Sequence, residues 1–166
     1  MITLVLGGAR SGKSAVAERL AARAGGPVAY VATGTASDPD MAARIAAHQA
    51  RRPPTWSTVE CGEGLVDALG RVAGTVLVDA LGTWLAQLEG FAPDIDALCA
   101  ALRSRAEPTI LVSEEVGMGV HPSTGDGRRF RDALGTLNQA VAATADEVLL
   151  VVAGRTLVLE AVDDGA

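Results

Sequence analysis

The sequence predicts an α/β protein with a mainly parallel sheet and helices on both of its faces. Short apolar runs typical of buried strands recur along the chain, and segments with helical character lie between them. Parallel strands covered on both faces are continuous apolar runs rather than alternating ones. With 166 residues and neither repeats nor a long linker, the chain is expected to form a single domain over 1–166.

The amino-terminal half predicts four strands and three helices. The strands are expected at 2–6, 28–32, 56–60 and 75–79, and the helices at 13–24, from 38 to about 51, and at 63–73. Gly25-Gly26-Pro27 stops the first helix. Asp38-Pro39 starts the second, since an N-cap carboxylate precedes proline at the first helical position. That helix must end before Pro53-Pro54.

The carboxyl-terminal half continues the alternation and ends in a hairpin. Helices are expected at roughly 80–89, 94–105 and 127–144, and strands at 109–113 and 147–152. After the Gly154-Arg155 turn, residues 156–160 are predicted to pair antiparallel with the preceding strand. Because ligands of parallel sheets bind beyond the carboxyl ends of the strands, functional residues are expected just after each strand.

A glycine-rich segment joins the first strand to the first helix. Residues 7–14, GGARSGKS, match the phosphate-loop pattern G-x-x-x-x-G-K-[ST] without a mismatch. In this pattern backbone N–H groups surround a phosphate, and the lysine adds positive charge near the outer phosphates. The fold class is therefore P-loop NTPase-like (RecA-like). The expected nucleotide-binding residues here are Gly7, Gly8, Ala9, Arg10, Ser11, Gly12, Lys13 and Ser14.

The phosphate loop predicts a magnesium site but does not define a reaction. The Ser14 hydroxyl is a candidate Mg²⁺ ligand, and Asp79, which closes a buried strand, is the second. The alternative for Asp79 is a carboxylate that only caps the next helix. Kinases, switch GTPases and motor ATPases all use this loop. The guanine-binding pattern N-K-x-D, common in switch GTPases, is absent from the sequence.

The segment at 38–56 places a histidine among arginines. On a helix, Arg44 and His48 are one turn apart on the same face, and Arg51 follows three residues later. Neighbouring positive charge favours the neutral imidazole, which is nucleophilic, while guanidinium groups can bind phosphate oxygens in pairs. The alternative is a solvated helix face with an incidental histidine.

The charge and the cysteine content limit the class of protein. The net charge is −6, which argues against nucleic acid as a partner. Two cysteines are too few for a disulfide framework and favour a reducing, cytoplasmic location. No run of 18 apolar residues exists, and the first predicted strand leaves no room for a signal peptide, so no membrane span is expected.

Taken together, these motifs resemble one enzyme family, the bifunctional adenosylcobinamide kinase/adenosylcobinamide-phosphate guanylyltransferases of cobalamin biosynthesis. The resemblance extends over nearly the whole chain and is most specific where the phosphate loop occurs with R-I-x-x-H-x-x-x-R-P and E-V-G-M-G. The matching segments are 7–14, 32–33, 41–53, 56, 58–61, 77–85, 115–119, 130–139 and 145–154.

The resemblance implies a two-step transferase. The enzyme phosphorylates the hydroxyl of the aminopropanol arm of adenosylcobinamide with ATP or GTP. It then takes GMP from GTP onto a histidine, releasing pyrophosphate, and passes GMP to adenosylcobinamide phosphate, which gives adenosylcobinamide-GDP. His48 matches the guanylylated histidine, and Lys13 is the second expected catalytic residue. Mg²⁺ is the implied cofactor, and a homo-oligomer, specifically a trimer, is the implied assembly.

Site residues beyond the phosphate loop follow from the same resemblance. They are Ala32, Thr33, Gly34, Arg44, Gln49, Ala50, Arg51, Arg52, Glu60 and Asp79. Glu60 is expected to accept hydrogen bonds from the guanine base, with an exposed sheet-end glutamate as the alternative. The sequence departs from the family pattern at two positions: Asp79 stands where Glu is frequent, and Glu114 stands where the family has Asn.

Three other functions remain compatible with these motifs. One is a P-loop small-molecule kinase without a covalent step, and another is a GTP-dependent regulatory switch. The third is an enzyme that has lost the kinase step and keeps guanylyl transfer.

The EVGMG loop adds Glu115 as a group that could polarise a hydroxyl. The following helix adds Arg128, Arg129 and Arg131 as candidate phosphate contacts, or else as a solvated face.

Overall fold

The computed structural model describes residues 1–34, 50 and 52–162. Its strands are β1 (Ile2–Gly7), β2 (Val28–Ala32), β3 (Ser57–Glu60), β4 (Thr75–Asp79), β5 (Thr109–Glu114), β6 (Glu147–Val152) and β7 (Arg155–Val158). Its helices are α1 (Lys13–Ala24), α2 (Leu65–Arg71), α3 (Leu81–Leu85), α4 (Ile95–Ser104) and α5 (Gly125–Thr144), with a 3₁₀ turn at Glu89–Phe91.

The strands form one sheet in the order β3-β2-β4-β5-β1-β6-β7. All neighbouring pairs are parallel except β6 and β7, which form the predicted antiparallel hairpin. The predicted fold class is confirmed. The register places Gly7 opposite Glu114 and Ala32 opposite Asp79, so the ends of the four central strands lie at one edge of the sheet.

Two apolar clusters hold helices against opposite faces of the sheet. On one face, Val16, Ala17 and Ala21 of α1 pack with strand residues such as Val5 and Leu77. On the other face, α2 to α5 contribute leucines, valine and tryptophan that pack against the remaining strand side chains. Because both faces are covered, the central strands are buried at nearly every position, and each has a continuous apolar run, as the sequence predicts.

Several predicted bounds differ from those observed, for local reasons. The helix expected at 80–89 ends at Leu85 and is followed by the 3₁₀ turn, where Gly90 has a φ of 64°. The helix expected from 127 begins at Gly125, because the Thr124 hydroxyl accepts a hydrogen bond from Gly127 N–H at 3.1 Å. The hairpin turns at Ala153 and Gly154, both with positive φ, so β7 starts at Arg155.

The helix expected from 38 to about 51 lies outside the described residues, apart from Ala50, which is helical and exposed. Among the described helices, none combines the length and the hydrophobicity that crossing a membrane requires.

Candidate active site

The phosphate loop has a left-handed backbone at two positions. Arg10 and Gly12 have φ values of 56° and 93°, and this left-handed backbone curls the loop tightly. The Ser11 N–H donates to the Gly8 carbonyl at 3.3 Å, and the Lys13 N–H donates to the Ser11 hydroxyl at 3.3 Å. The loop thus carries its own turn contacts and delivers Lys13 and Ser14 to the first turn of α1.

The turn of the C-terminal hairpin supports the phosphate loop from one side. The Gly154 N–H donates to the Ser11 carbonyl at 2.8 Å. A Cβ on Gly12 would lie 3.3 Å from the Gly154 Cα, so the two backbones approach closely. The hairpin therefore constrains the loop in addition to extending the sheet.

Lys13 points toward the end of β5. Its Nζ lies 3.4 Å from the Gly8 carbonyl oxygen and 3.7 Å from Oε1 of Glu114. The Lys13 side chain is 11% exposed and that of Glu114 is 28% exposed, so this ion pair is largely shielded from water. A shielded pair is less screened by salt than a surface pair.

Ser14, Asp79 and Tyr30 form a chain of side chains beside the loop. The Ser14 hydroxyl donates to Oδ1 of Asp79 at 3.4 Å, and the Tyr30 hydroxyl donates to Oδ2 at 3.1 Å. Burial, more than the charge of Asp79, raises the pKa of Tyr30, so its hydroxyl remains a donor. This chain connects the phosphate loop to the middle strands.

The residues present fit a magnesium ion that also binds phosphate. A hydroxyl and a carboxylate meet at the helix start, and Mg²⁺ prefers hard oxygen ligands. Within the described part of the chain, no group of three or more His, Cys, Asp or Glu residues could hold a metal. Mg²⁺ that is bound together with substrate phosphates nevertheless needs only one or two carboxylates from the protein.

Glu114 is anchored by its neighbours. Its Oε2 accepts a hydrogen bond from Gly82 N–H at 3.1 Å, and its backbone carbonyl accepts one from Nδ2 of Asn138 at 3.0 Å. Asn138 in turn accepts a hydrogen bond from the Ser113 hydroxyl at 2.6 Å. Burial raises the pKa of Glu114, although the charge of Lys13 acts in the opposite direction.

The predicted residues after β2 are tied to the strand beside them. Thr33 is fully buried, and its hydroxyl donates to the Ala80 carbonyl at 2.8 Å. The Thr33 carbonyl accepts a hydrogen bond from the Gln87 amide, and the Ala32 carbonyl accepts one from Cys61 N–H at 3.1 Å. These contacts fix the backbone that leads to Gly34, the last described residue before position 50.

The guanidinium group of Arg52 lies over the aromatic ring of Tyr30 in β2. Its guanidinium carbon is 3.6 Å from the ring centroid, a cation–π contact, and Nη1 is 3.4 Å from the Thr58 hydroxyl. A cavity of about 160 Å³ beside it is lined by Arg52, Pro53, Pro54, Trp56 and Thr58. The predicted guanine contact Glu60 is exposed at the end of β3, next to Ala32.

The central residues of the predicted guanylyl-transfer site are His48, Arg44, Gln49 and Arg51. All four lie outside the described residues. Ala50 and Arg52 are the described members of the predicted set in this segment.

The loop after β5 uses most of its polar groups internally. Glu115 accepts hydrogen bonds from Gly117 N–H at 2.5 Å and Met118 N–H at 3.1 Å. Arg129 pairs with Asp126, and Arg131 pairs with Asp132 and lies 2.8 Å from Nδ1 of His121. Arg128 donates to the Pro122 and Ser123 carbonyls. These arginines bind their own segment rather than the phosphate loop.

Two residues that contact Asp79 and Lys13, namely Tyr30 and Glu114, are not among the site residues predicted from the sequence. Tyr30 is 6% exposed and lies in an apolar strand, so the sequence pattern indicates a core residue. The signal that could have identified it is a polar hydroxyl two residues before the strand end, close to the predicted ligand site. Glu114 was noticed only as a departure from the family pattern. Its contact with Lys13 follows from the pairing of β1 with β5, which the sequence does not reveal.

The fold and the loop place the chain in the P-loop NTPase-like fold class. Among solved structures, the RadB recombinase superposes on this chain with a TM-score of 0.52 at 16% sequence identity, covering 90% of this chain and 73% of that chain. At such low identity the likeness concerns the fold alone.

The chain belongs to the cobinamide kinase / cobinamide phosphate guanyltransferase family, whose sequence model matches residues 3–159. It is 42% identical over 169 residues to the bifunctional adenosylcobalamin biosynthesis protein CobP of Pseudomonas aeruginosa, covering 96% of this chain and 98% of that protein. It is also 38% identical to the corresponding CobU of Salmonella typhimurium, covering 93% and 97% of the two chains. The predicted family is confirmed.

Proposed function

We propose that this protein phosphorylates adenosylcobinamide with ATP or GTP and then transfers GMP from GTP to adenosylcobinamide phosphate. The products of the second reaction are adenosylcobinamide-GDP and pyrophosphate. The observation that carries the proposal is the match to a family named for both activities over residues 3–159, on a chain whose Lys13, Ser14 and Asp79 converge at one sheet edge.

In the kinase step, the phosphate loop binds and orients the nucleotide triphosphate. The backbone N–H groups of residues 7–14 contact the phosphates, and Lys13 offsets the negative charge that spreads over the transferred group. Ser14 and Asp79 would hold Mg²⁺, which neutralises charge on the phosphate oxygens when it is bound. Tyr30 keeps Asp79 directed toward Ser14 through its 3.1 Å hydrogen bond.

In the guanylyl transfer, His48 is the nucleophile. Its imidazole nitrogen attacks the α-phosphorus of GTP, a P–N bond forms, and pyrophosphate leaves. A phosphate oxygen of adenosylcobinamide phosphate then attacks the same phosphorus, the P–N bond breaks, and His48 is regenerated. Arg44, Arg51 and Arg52, with Gln49 and Ala50, form the surrounding nucleotide contacts, and guanidinium groups suit phosphate oxygens.

Glu60 is the proposed reader of the guanine base. A carboxylate can accept hydrogen bonds from both the N1–H and the exocyclic amine of guanine. Glu60 is exposed and is the last residue of β3, where it pairs with Ala32, the last residue of β2. Ala32, Thr33 and Gly34 complete this side of the nucleotide site in the proposal.

We further propose that residues 1–166 act as one catalytic domain, in a cytoplasmic homo-oligomer such as a trimer. The free thiols of Cys61 and Cys99 support a reducing compartment. The net charge of −6 supports small anionic ligands bound at local basic groups rather than nucleic acid.

The test is to incubate the protein with α-labelled GTP and Mg²⁺, denature it and measure retained label. We expect acid-labile, alkali-stable label, as for a phosphoramidate, in wild type and in His121→Ala. His121 is the matched control, because it is the other of the two histidines and is exposed. His48→Ala should carry no label. Label that persists in His48→Ala refutes His48 as the nucleophile.

Transfer of γ-label to adenosylcobinamide tests the kinase step separately. Wild type and His48→Ala should both phosphorylate adenosylcobinamide, because that step needs no covalent intermediate. An enzyme that forms labelled protein but phosphorylates no acceptor has only the guanylyl transfer. Acceptor phosphorylation without labelled protein would instead identify a kinase alone.

A further inference from the structure

The ion pair between Lys13 and Glu114 places a negative group beside the lysine that the phosphates must use. Glu114 Oε1 lies 3.7 Å from Lys13 Nζ, and the carboxylate belongs to the strand directly beside the phosphate-loop strand. We propose that Glu114 is an internal counterion of Lys13 that competes with nucleotide phosphates and so lowers the affinity of the phosphate loop for polyphosphates.

The position of the Glu114 carboxylate is fixed by its other contacts. Its second oxygen accepts the Gly82 N–H at 3.1 Å, and a Cβ at Gly82 would collide with that oxygen. Its backbone is held by Asn138, which also binds Ser113. The carboxylate is therefore held beside Lys13 from two directions, rather than being a surface side chain that happens to reach it.

The proposed effect is electrostatic and should grow with phosphate charge. Phosphate oxygens near Lys13 must compete with Glu114 for the same ammonium group. Because the Lys13–Glu114 ion pair is only partly exposed, solvent screens this competition incompletely. Asp79 adds a second negative charge on the neighbouring strand β4. A neutral residue at 114 should leave Lys13 free for phosphate, and the gain should be largest for triphosphates.

The test measures nucleotide dissociation constants by titration calorimetry on the full chain at fixed ionic strength. The inference about Glu114 rests on the proposed function, since the phosphate loop must bind nucleotide. Glu114→Gln keeps the shape of the side chain and an oxygen for Gly82 but removes the charge. We expect about tenfold tighter binding of ATP, about threefold tighter binding of ADP, and no change for AMP.

Two further variants control this measurement. Glu107→Gln removes the same charge just before the opposite end of β5, where Glu107 is exposed, and should change no dissociation constant. Glu114→Asn tests the same point with a shorter neutral side chain and should also bind ATP more tightly than wild type. Thermal unfolding of each variant shows whether it is folded.

The outcomes separate this inference from the proposed function. If wild type binds no nucleotide, both are overturned. If wild type binds ATP but Glu114→Gln and Glu114→Asn bind it equally or more weakly, only the counterion role is overturned. Equal tightening for AMP and ATP also overturns it, because a general structural effect does not scale with phosphate charge. In a Lys13→Gln background the effect of Glu114→Gln should shrink, and full additivity would contradict the pairing.

Discussion

The two edges of the sheet use polar side chains in opposite ways. At the edge where the parallel strands begin, charged side chains bind backbone groups at short distances. Arg105 donates to the carbonyls of Leu69, Val72 and Gly74, each at 2.7 Å. Asp146 accepts the Ile2 N–H at 2.6 Å at the start of β1. These contacts fix the positions at which strands and helices begin or end.

At the edge where the strands end, two pairs of polar or charged side chains contact one another at longer distances. Ser14 and Asp79 are 3.4 Å apart, and Lys13 and Glu114 are 3.7 Å apart. Contacts of this length are weaker than hydrogen bonds of 2.7 Å, so we expect a ligand to replace them more readily than the short backbone contacts of the opposite edge. We therefore infer that polar residues of similar type serve stability at the edge where the strands begin, here called the stabilising edge, and binding at the edge where they end, here called the ligand-binding edge.

The largest expected effect is loss of activity with only a small loss of stability at the ligand-binding edge. Lys13→Ala should lower kcat/KM for phosphoryl transfer by about 10²- to 10⁴-fold, because the charge on the transferred phosphate loses its partner. The free energy of unfolding should fall by only about 1 to 2 kcal/mol, because Glu114 keeps the hydrogen bond from Gly82 N–H after it loses the lysine. Arg19→Ala, which alters an exposed residue of the same helix, is the control. A large loss of stability in Lys13→Ala would remove the distinction between the edges.

The converse effect is expected at the opposite edge. Arg105→Ala should lower the free energy of unfolding by about 3 kcal/mol, because three backbone carbonyls lose a charged donor. Burial also lowers the pKa of Arg105, so its environment is shielded from water. Arg103→Ala is the control and should cost less than about 0.5 kcal/mol, since Arg103 is exposed. Urea unfolding measures both.

The nucleotide affinity of folded Arg105→Ala should match that of wild type. A clear loss of affinity would contradict the assignment of stability and binding to different edges of the sheet. Arg105→Lys should restore only part of the stability, because one ammonium group cannot reproduce the planar fork that serves three carbonyls.

The sequence predicts the residues proposed to bind ligand at one edge of the sheet, but not the stabilising contacts at the opposite edge. The phosphate loop and Asp79 are recognisable because nucleotide chemistry requires particular residue types at fixed spacing and at strand ends. Arg105 carries no such pattern: it follows α4, and its partners come from α2 and the turn before β4, which are 31 to 36 residues away. Likewise, the partnership of Glu114 with Lys13 depends on which strands are neighbours.

A smaller effect on stability is expected for substitution of Asn138, a residue that contributes both to stability and to the proposed ligand-binding edge. It binds Ser113 and the backbone of Glu114 from α5 and is 7% exposed. Asn138→Ala should cost about 2 kcal/mol of unfolding free energy, because two buried polar groups lose their partner. It should also change nucleotide affinity, since it holds the strand end that carries Glu114. Gln139→Ala, at the exposed neighbouring position, is the control and should change neither the stability nor the nucleotide affinity. An unchanged affinity in Asn138→Ala would show that the end of β5 needs no support from α5.

The smallest expected effect is on pH-dependent stability at Glu114. Its pKa is raised above the ordinary value of 4.5, chiefly by burial, so the folded protein binds this proton more tightly than the unfolded chain does. The stability linked to that proton is fully present below pH 4.5 and is lost as the pH rises through the folded pKa.

Glu114→Gln should therefore raise the free energy of unfolding at pH 7, by less than about 1 kcal/mol, and the gain should disappear below about pH 4.5. Urea unfolding between pH 4 and pH 8 measures this difference. Glu107→Gln relieves the same net charge at an exposed position, so an equal gain in that variant would attribute the effect to overall charge. A gain confined to Glu114→Gln would show that the ligand-binding edge keeps a carboxylate at a cost in stability, as expected for a group retained for its effect on bound phosphate.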